Sequence, residues 1–207
     1  SKVIIEKGVT AIGEQTFSGC GKITEITIPD SVTNIKTGAF FECAGLTSIE
    51  IPESVTEMGH SVFYGCVNLK EITIPSGVET INSGVFRDCQ SLETITFSKN
   101  VTKVDFTALC GCSNLKSVIF EHPGCRIADA EHTICNSHDF DTEENVFNGT
   151  IYGYENSTAQ AYAEKYNRTF VALEGKPAIE IIDSGECGVM EEDGVFWMFD
   201  SEGTLTI

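Results

Sequence analysis

Basic residues are scarce in this chain, with 13 Lys and Arg against 31 Asp and Glu, a formal charge of −18. The deficit is uneven: residues 1–125 hold fourteen acids against nine bases, and residues 126–207 hold seventeen against four. Such a balance argues against nucleic acid and anionic membrane surfaces, which both call for basic patches. No stretch approaches the ~20 continuous apolar residues of a membrane span. A Gly-rich phosphate loop is missing, and no nucleophile, base and orienter can be assembled from the Ser, Thr and His positions. The sequence therefore suggests neither an enzyme nor a cofactor site.

What the chain does have is repetition. The stretch from Leu46 to Asn68 is rewritten on either side, so that Ile23, Leu46, Leu69, Leu92 and Leu115 fall at a fixed 23-residue step. A fixed step of this size marks a solenoid, whose units bury their apolar faces only by stacking on neighbours. Ile26, Ile49, Ile72, Ile95 and Val118 form one column. Ile28, Ile51, Ile74, Phe97 and Phe120 form another two residues on, which is strand spacing with one face in the core. Pro29, Pro52 and Pro75 then stop the strand, because proline cannot donate to a continuing ladder.

Val32, Val55, Val78 and Val101, followed three residues later by Ile35, Met58, Ile81 and Val104, predict a second short extended segment. Phe40, Phe63, Phe86 and Leu109 close each unit, and a helical or 3₁₀ turn is expected on this third side. Val3, Ile5, Val9, Ile12, Phe17 and Cys20 fill the same columns, so the chain is expected to open partway through a repeat. Cys20, Cys43, Cys66, Cys89 and Cys112 form a cysteine column. Stacked coils ~4.8 Å apart point their side chains the same way, whereas a disulfide needs Cβ vectors turned toward each other. Buried, reduced thiols, each beneath the Phe of its own unit, are the expectation.

The pattern LxxIxIPxxVxxIxxxAFxxCxx resembles the bacterial surface-protein class of leucine-rich repeats, the BspA-like family, over residues 1 to about 125. The resemblance implies an α/β repeat solenoid, right-handed, with short parallel strands, and a cell-surface or secreted protein acting in adhesion and protein binding without catalysis. Stacking would set Thr27, Glu50, Thr73 and Thr96 in one row with Glu25, Ser48, Glu71 and Thr94 beside it on a concave strand face. This is the expected binding face for host or microbial surface proteins or glycans. It is polar and short of the aromatics and Arg that usually supply hot spots. Alternatives from other classes are a structural spacer and the accessory repeat region of a larger glycan-handling surface enzyme.

From Glu121 the columns break. Ile127, Ile134 and Ile151 are expected to continue the strand side of a widened last coil. Ser157-Thr-Ala-Gln160 reads as a capping box opening a helix with Ala159, Tyr162, Ala163 and Tyr166 on one stripe, ending at Asn167, before a strand from Thr169 to Leu173. TIYGYENSTAQAYAEKYNRTFVAL resembles the closing segment of the repeat family, as a solenoid end requires.

The widened coil also gathers His122, Cys125, His132, Cys135 and His138, whose spacing is compatible with zinc, with a Cys125–Cys135 disulfide, or with core filling. The last is preferred and no metal is assigned. Asp139-Phe-Asp141-Thr-Glu143 starts like a calcium loop but has Glu144 where the turn glycine belongs.

The solenoid with its cap is assigned to residues 1–173, and a linker with a β-module fragment to 174–207. ECGVMEEDGVFWMFDSEGTLTI resembles the opening of a small β-module found beside these repeats in gut bacteria, through Cys187, Trp197, Gly203 and Leu205. Val195 to Phe199 and Thr204 to Ile207 predict a hairpin turning at Asp200-Ser-Glu-Gly203, folded against a strand from Ile179 to Ile182. Its open edge invites weak edge-paired dimers. On this reading the chain is a slice of a larger protein.

Overall fold

The computed structural model describes residues 1–138, 145–175, 183–186, 196–199 and 205–206. The calcium-like Asp139, Asp141 and Glu143, the strand Ile179 to Ile182, Cys187 and the turn Asp200 to Gly203 lie outside the described residues. The chain divides into two compact units, Ser1–Leu173 and Glu174–Ile207.

The first unit is a parallel-strand solenoid. Its first row is built from Lys2–Ile4, Glu25–Thr27, Ser48–Ile49, Glu71–Ile72, Thr94–Phe97, Ser117–Phe120, Thr150–Gly153 and Thr169–Ala172. Neighbours pair in parallel at the step the sequence sets, Lys2 against Glu25, Ser48 against Glu71 and Thr94 against Ser117. Proline controls strand length here. In coils where Ser98 and Glu121 replace it, the strands run to four residues, and Glu121 N–H donates to Phe97 O at 2.9 Å. Pro29, Pro52 and Pro75 have no N–H to donate, and their strands stop at two or three residues.

A second row of two-residue strands, from Ala11–Ile12 to Arg126–Ile127, follows each turn. Its Ile35, Met58, Ile81 and Val104 are all buried. The core between the sides is a column of rings: Phe17, Phe40, Phe63 and Phe86 stack at 5.5, 5.4 and 5.8 Å with planes within 5°. Offset stacking of this kind adds about 0.5–1.5 kcal/mol per pair beyond area burial.

The third side is not the expected helical or 3₁₀ turn. Each coil places two residues at positive φ here, and they form two columns: Gln15, Gly38, Ser61, Gly84 and Thr107, then Gly19, Glu42, Gly65, Asp88 and Gly111. Left-handed residues prevent a continuous helix and turn alternate N–H groups toward the next coil. Phe17 N–H donates to Ala39 O, Phe40 to Val62 O, Phe63 to Val85 O and Phe86 to Ala108 O, at 2.9–3.0 Å. On the first two sides the parallel ladders carry bonds in both directions, as when Ile5 N–H donates forward to Thr27 O at 3.0 Å and Lys36 N–H donates back to Ile12 O at 2.9 Å.

Glycine alternates between the two columns from coil to coil, so the true period of the third side is two repeats. Where one coil has glycine, the preceding coil has a side chain lying over it: Gln15 over Gly38, Glu42 over Gly65, Ser61 over Gly84 and Asp88 over Gly111. A β-carbon on Gly38 would meet Gln15 Cγ at 3.2 Å, and one on Gly84 would meet Ser61 Oγ at 3.1 Å.

In the widened coil, Ile127, Ile134 and Ile151 do not share one strand side. Ile127 pairs with Val104 in the second row, Ile134 bridges Leu109 on the third side, and Ile151 pairs with Val118 in the first. The extra length is an excursion on the third side, closed by Ser137–His138 pairing antiparallel with Asn145–Val146.

The cap is the helix Thr158–Lys165, capped by Ser157, whose Oγ accepts from Gln160 N–H at 3.2 Å. The reciprocal bond is displaced by one residue, Asn156 N–H donating to Gln160 Oε1 at 2.7 Å. Ala159, Tyr162 and Ala163 are buried, and Asn167 takes positive φ just past the end. The strand Thr169–Ala172 then closes the first row.

In the second unit, Phe196–Phe199 pairs antiparallel with Leu205–Thr206, the expected hairpin. The third strand is Asp183–Glu186, just past the Ile179 to Ile182 stretch expected from the sequence.

Candidate functional site

All eight residues expected on the binding face, Glu25, Thr27, Ser48, Glu50, Glu71, Thr73, Thr94 and Thr96, are exposed on the first row. Between the strands Glu25–Thr27 and Ser48–Ile49 the face opens into a cleft of about 360 Å³, lined by Glu25, Thr27, Asp30, Ser48 and Glu50 among others. Its walls carry hydroxyls and carboxylates, which give it hydrogen-bonding capacity. Glu25 is neutralised by Lys2 at 2.6 Å. On the rim of the row Glu93 meets Lys116 at 2.8 Å, and that hydrogen bond holds the Glu93 carboxyl below its ordinary range.

The face does not stay polar. Register carries the row of Thr96 onto Ile119, Tyr152 and Val171. Val171 is exposed, and Ile119 and Tyr152 are half-buried, so their side chains are accessible on the sheet. Sequence reasoning left Ile119 out of the row although it keeps the 23-residue step from Thr96, and missed Tyr152 and Val171 because the widened coil hides their register. The pairing of Val118 with Ile151 reveals it.

The metal candidates are not brought together. His122 accepts Gly124 N–H on Nδ1 at 3.0 Å, and burial lowers its pKa. Cys125 is fully buried, and its N–H is within a turn to His122 O that repeats the bond from Val101 N–H to Ser98 O, so it fills the valine column. His132 lies in a short 3₁₀ turn, Glu131–Thr133, and the backbone of His138 is paired with Asn145. Among the described residues, no group of three His, Cys, Asp or Glu side chains is placed to hold a metal.

The cysteine column is reduced, with Cys43, Cys66, Cys89 and Cys112 fully buried and Cys20 half-buried in the first coil. The four buried thiols also reach the preceding coil. Cys43 Sγ donates to Phe17 O at 3.0 Å, Cys66 to Phe40 O at 3.2 Å, Cys89 to Phe63 O at 3.2 Å and Cys112 to Phe86 O at 3.1 Å. Burial pushes the Cys43 thiol up to about 11 and Cys66 up to about 12, which keeps both protonated and unreactive.

The description "BspA type Leucine rich repeat region" matches residues 1–148 in six copies. The chain belongs to this family. A leucine-rich repeat protein of T. pallidum is 32% identical over 57% of this chain and 59% of its own, with a TM-score of 0.54. A leucine-rich repeat protein from Eubacterium ventriosum is 23% identical over 66% of this chain and 42% of its own, with a TM-score of 0.53. The pneumococcal vaccine antigen PcpA shares the fold at 14% identity and a TM-score of 0.53, over 84% of this chain and 56% of its own. This BspA-type chain thus spans only part of the length of each neighbour. No curated protein matches it.

Proposed function

We propose that this BspA-type repeat protein is a non-catalytic scaffold of a bacterial surface or secreted protein, binding macromolecules through its first-row face. The observation that carries the reading is the row Thr96, Ile119, Tyr152 and Val171, in which a polar sheet face acquires accessible apolar side chains toward the cap. Exposed apolar side chains rimmed by polar ones favour protein contact, and an aromatic among them supplies the type of residue on which interfaces depend. Glu25, Ser48, Glu71 and Thr94 with Thr27, Glu50, Thr73 and Thr96 form the polar part of the same face. Such a face gives weak monovalent contacts that gain strength when many copies are displayed. The surface reading draws on the family and on the vaccine antigen among the fold neighbours.

The test is retention of mucins and extracellular-matrix proteins on beads that carry the chain in many copies, compared with beads carrying Tyr152→Asp. Retention lost with the variant supports the reading. Equal retention by both moves the binding elsewhere, and no retention by either favours a spacer.

A further inference from the structure

Cys110 and Cys135 stand apart from the column thiols. Leu109 and Ile134 bridge in parallel between coil five and the widened coil. Leu109 N–H donates to Thr133 O at 2.9 Å, Cys135 N–H to Leu109 O at 3.3 Å and Cys112 N–H to Cys135 O at 3.2 Å. These bonds make Cys110 and Cys135 immediate neighbours on adjacent coils, both buried. Coil spacing of ~4.8 Å lies within the Cα range of a disulfide for this pair and for the column alike, so closing the bond here requires the two β-carbons to turn toward each other as the coil opens. Each column thiol from Cys43 to Cys112 is turned onto a phenylalanine carbonyl, whereas the Cys135 thiol donates to His132 O of its own turn at 3.8 Å and interacts with Cys110 beside it.

The surroundings hold the Cys135 thiol below its ordinary range, against the opposing effect of its burial. Cys110 donates to its sulfur, Gly111 N–H does so from the backbone, and the Arg168 guanidinium stands nearby. That guanidinium is itself buried, and its Nη2 donates to Glu131 Oε1 at 3.1 Å and Asn145 O at 2.9 Å. The hydrogen bond from Cys110 is the main cause that lowers Cys135, and the same bond raises Cys110. Donors and positive charge around one of two touching thiols are the arrangement that makes a nucleophilic cysteine with a resolving partner.

We propose that Cys110 and Cys135 form a redox site, closed to a disulfide by exchange with a low-molecular-weight disulfide. Cys135 gives its proton to solvent and its sulfur attacks one sulfur of that molecule, whose S–S bond breaks, and the expelled thiolate takes a proton from solvent. Cys110 then gives its proton to solvent and attacks the Cys135 sulfur, expelling the second thiolate, which is protonated in turn. Two protein thiols lose two electrons and two protons, and the small disulfide is reduced to two thiols. Because both sulfurs are covered, exchange proceeds while the coil folds or during its local opening. The product ties coil five to the coil in which the 23-residue step is lost.

The test uses the full chain, refolded in a mixture of reduced and oxidised glutathione, with free thiols then alkylated and peptides mapped without reduction. Fragmentation distinguishes Cys110 from Cys112. The expected result is a single Cys110–Cys135 link, loss of two hydrogens per molecule and a higher Tm than the reduced chain. Cys110→Ser and Cys135→Ser should each abolish both the link and the Tm rise. A Cys125–Cys135 link, scrambled links, or alkylation of both thiols in the refolded chain would overturn the proposal. The map of the unsubstituted chain decides it even where a serine variant fails to fold.

Discussion

Asp88 lies across Gly111, its carboxylate occupying the space that a β-carbon on the glycine would need. Both residues are at positive φ, 58° for Asp88 and 75° for Gly111. The same relation repeats down the third side with glycine and side chain exchanging columns at each coil.

Gly111→Ala therefore combines a strained backbone with a clash against Asp88, and should destabilise the chain by about 2 kcal/mol or more. Gly84→Ala should also destabilise, while Ser61→Gly, which relieves a left-handed residue, should be neutral or slightly stabilising. Urea unfolding of the three variants checks this. Equal losses from all three would show that the alternation has no energetic weight.

The thiol column predicts an alkaline limit to stability. The folded pKa values of Cys43 and Cys66 are raised from the ordinary 9.0 to about 11 and about 12. Between those limits the folded chain holds protons that the unfolded chain releases, so stability is full below pH 9 and falls as pH rises toward 12. A Tm profile from pH 7 to 11 in reductant should be flat and then decline. Cys66→Ala should soften the decline, and an unchanged slope in that variant would contradict this cause.

Cys66→Ser retains a partner, because a hydroxyl can donate to Phe40 O where the thiol does. The cost should be at most about 1–2 kcal/mol, less than for a buried hydroxyl left unpaired. Thiol labelling of the native chain should leave Cys43, Cys66, Cys89 and Cys112 unmodified until unfolding.

The cap rests on Ser157 and on Tyr162, whose hydroxyl donates to Ala130 O at 2.9 Å. Ser157→Ala should cost about 1 kcal/mol, and Tyr162→Phe about 1 kcal/mol more. Hydrogen exchange should then speed up first in Thr158–Lys165 and Thr169–Ala172, before the Phe40–Phe86 coils are affected.

Much of this architecture was legible because each column asks for a single kind of side chain. Ile26, Ile49 and Ile95, Val32 to Val101, and Phe40 to Phe86 all occupy the places that the 23-residue step assigns them. The third side was not legible. Gln15, Gly38, Ser61, Gly84 and Thr107 look like an unspecific column until their φ values are known, since the constraint is on backbone conformation and is shared between neighbouring coils. The apolar end of the face was hidden for a different reason. Ile119 keeps the step from Thr96, but Tyr152 and Val171 are joined to it by register across an insertion, and no fixed step connects them.

The measurement that most directly tests the scaffold account compares monovalent and multivalent binding of one retained mucin or matrix protein. Biosensor titrations would use the chain alone and the chain displayed in many copies, each with and without Tyr152→Asp. The account predicts weak monovalent binding, strong binding by the display, and loss of both with the variant. Nanomolar monovalent binding that Tyr152→Asp leaves unchanged would contradict it.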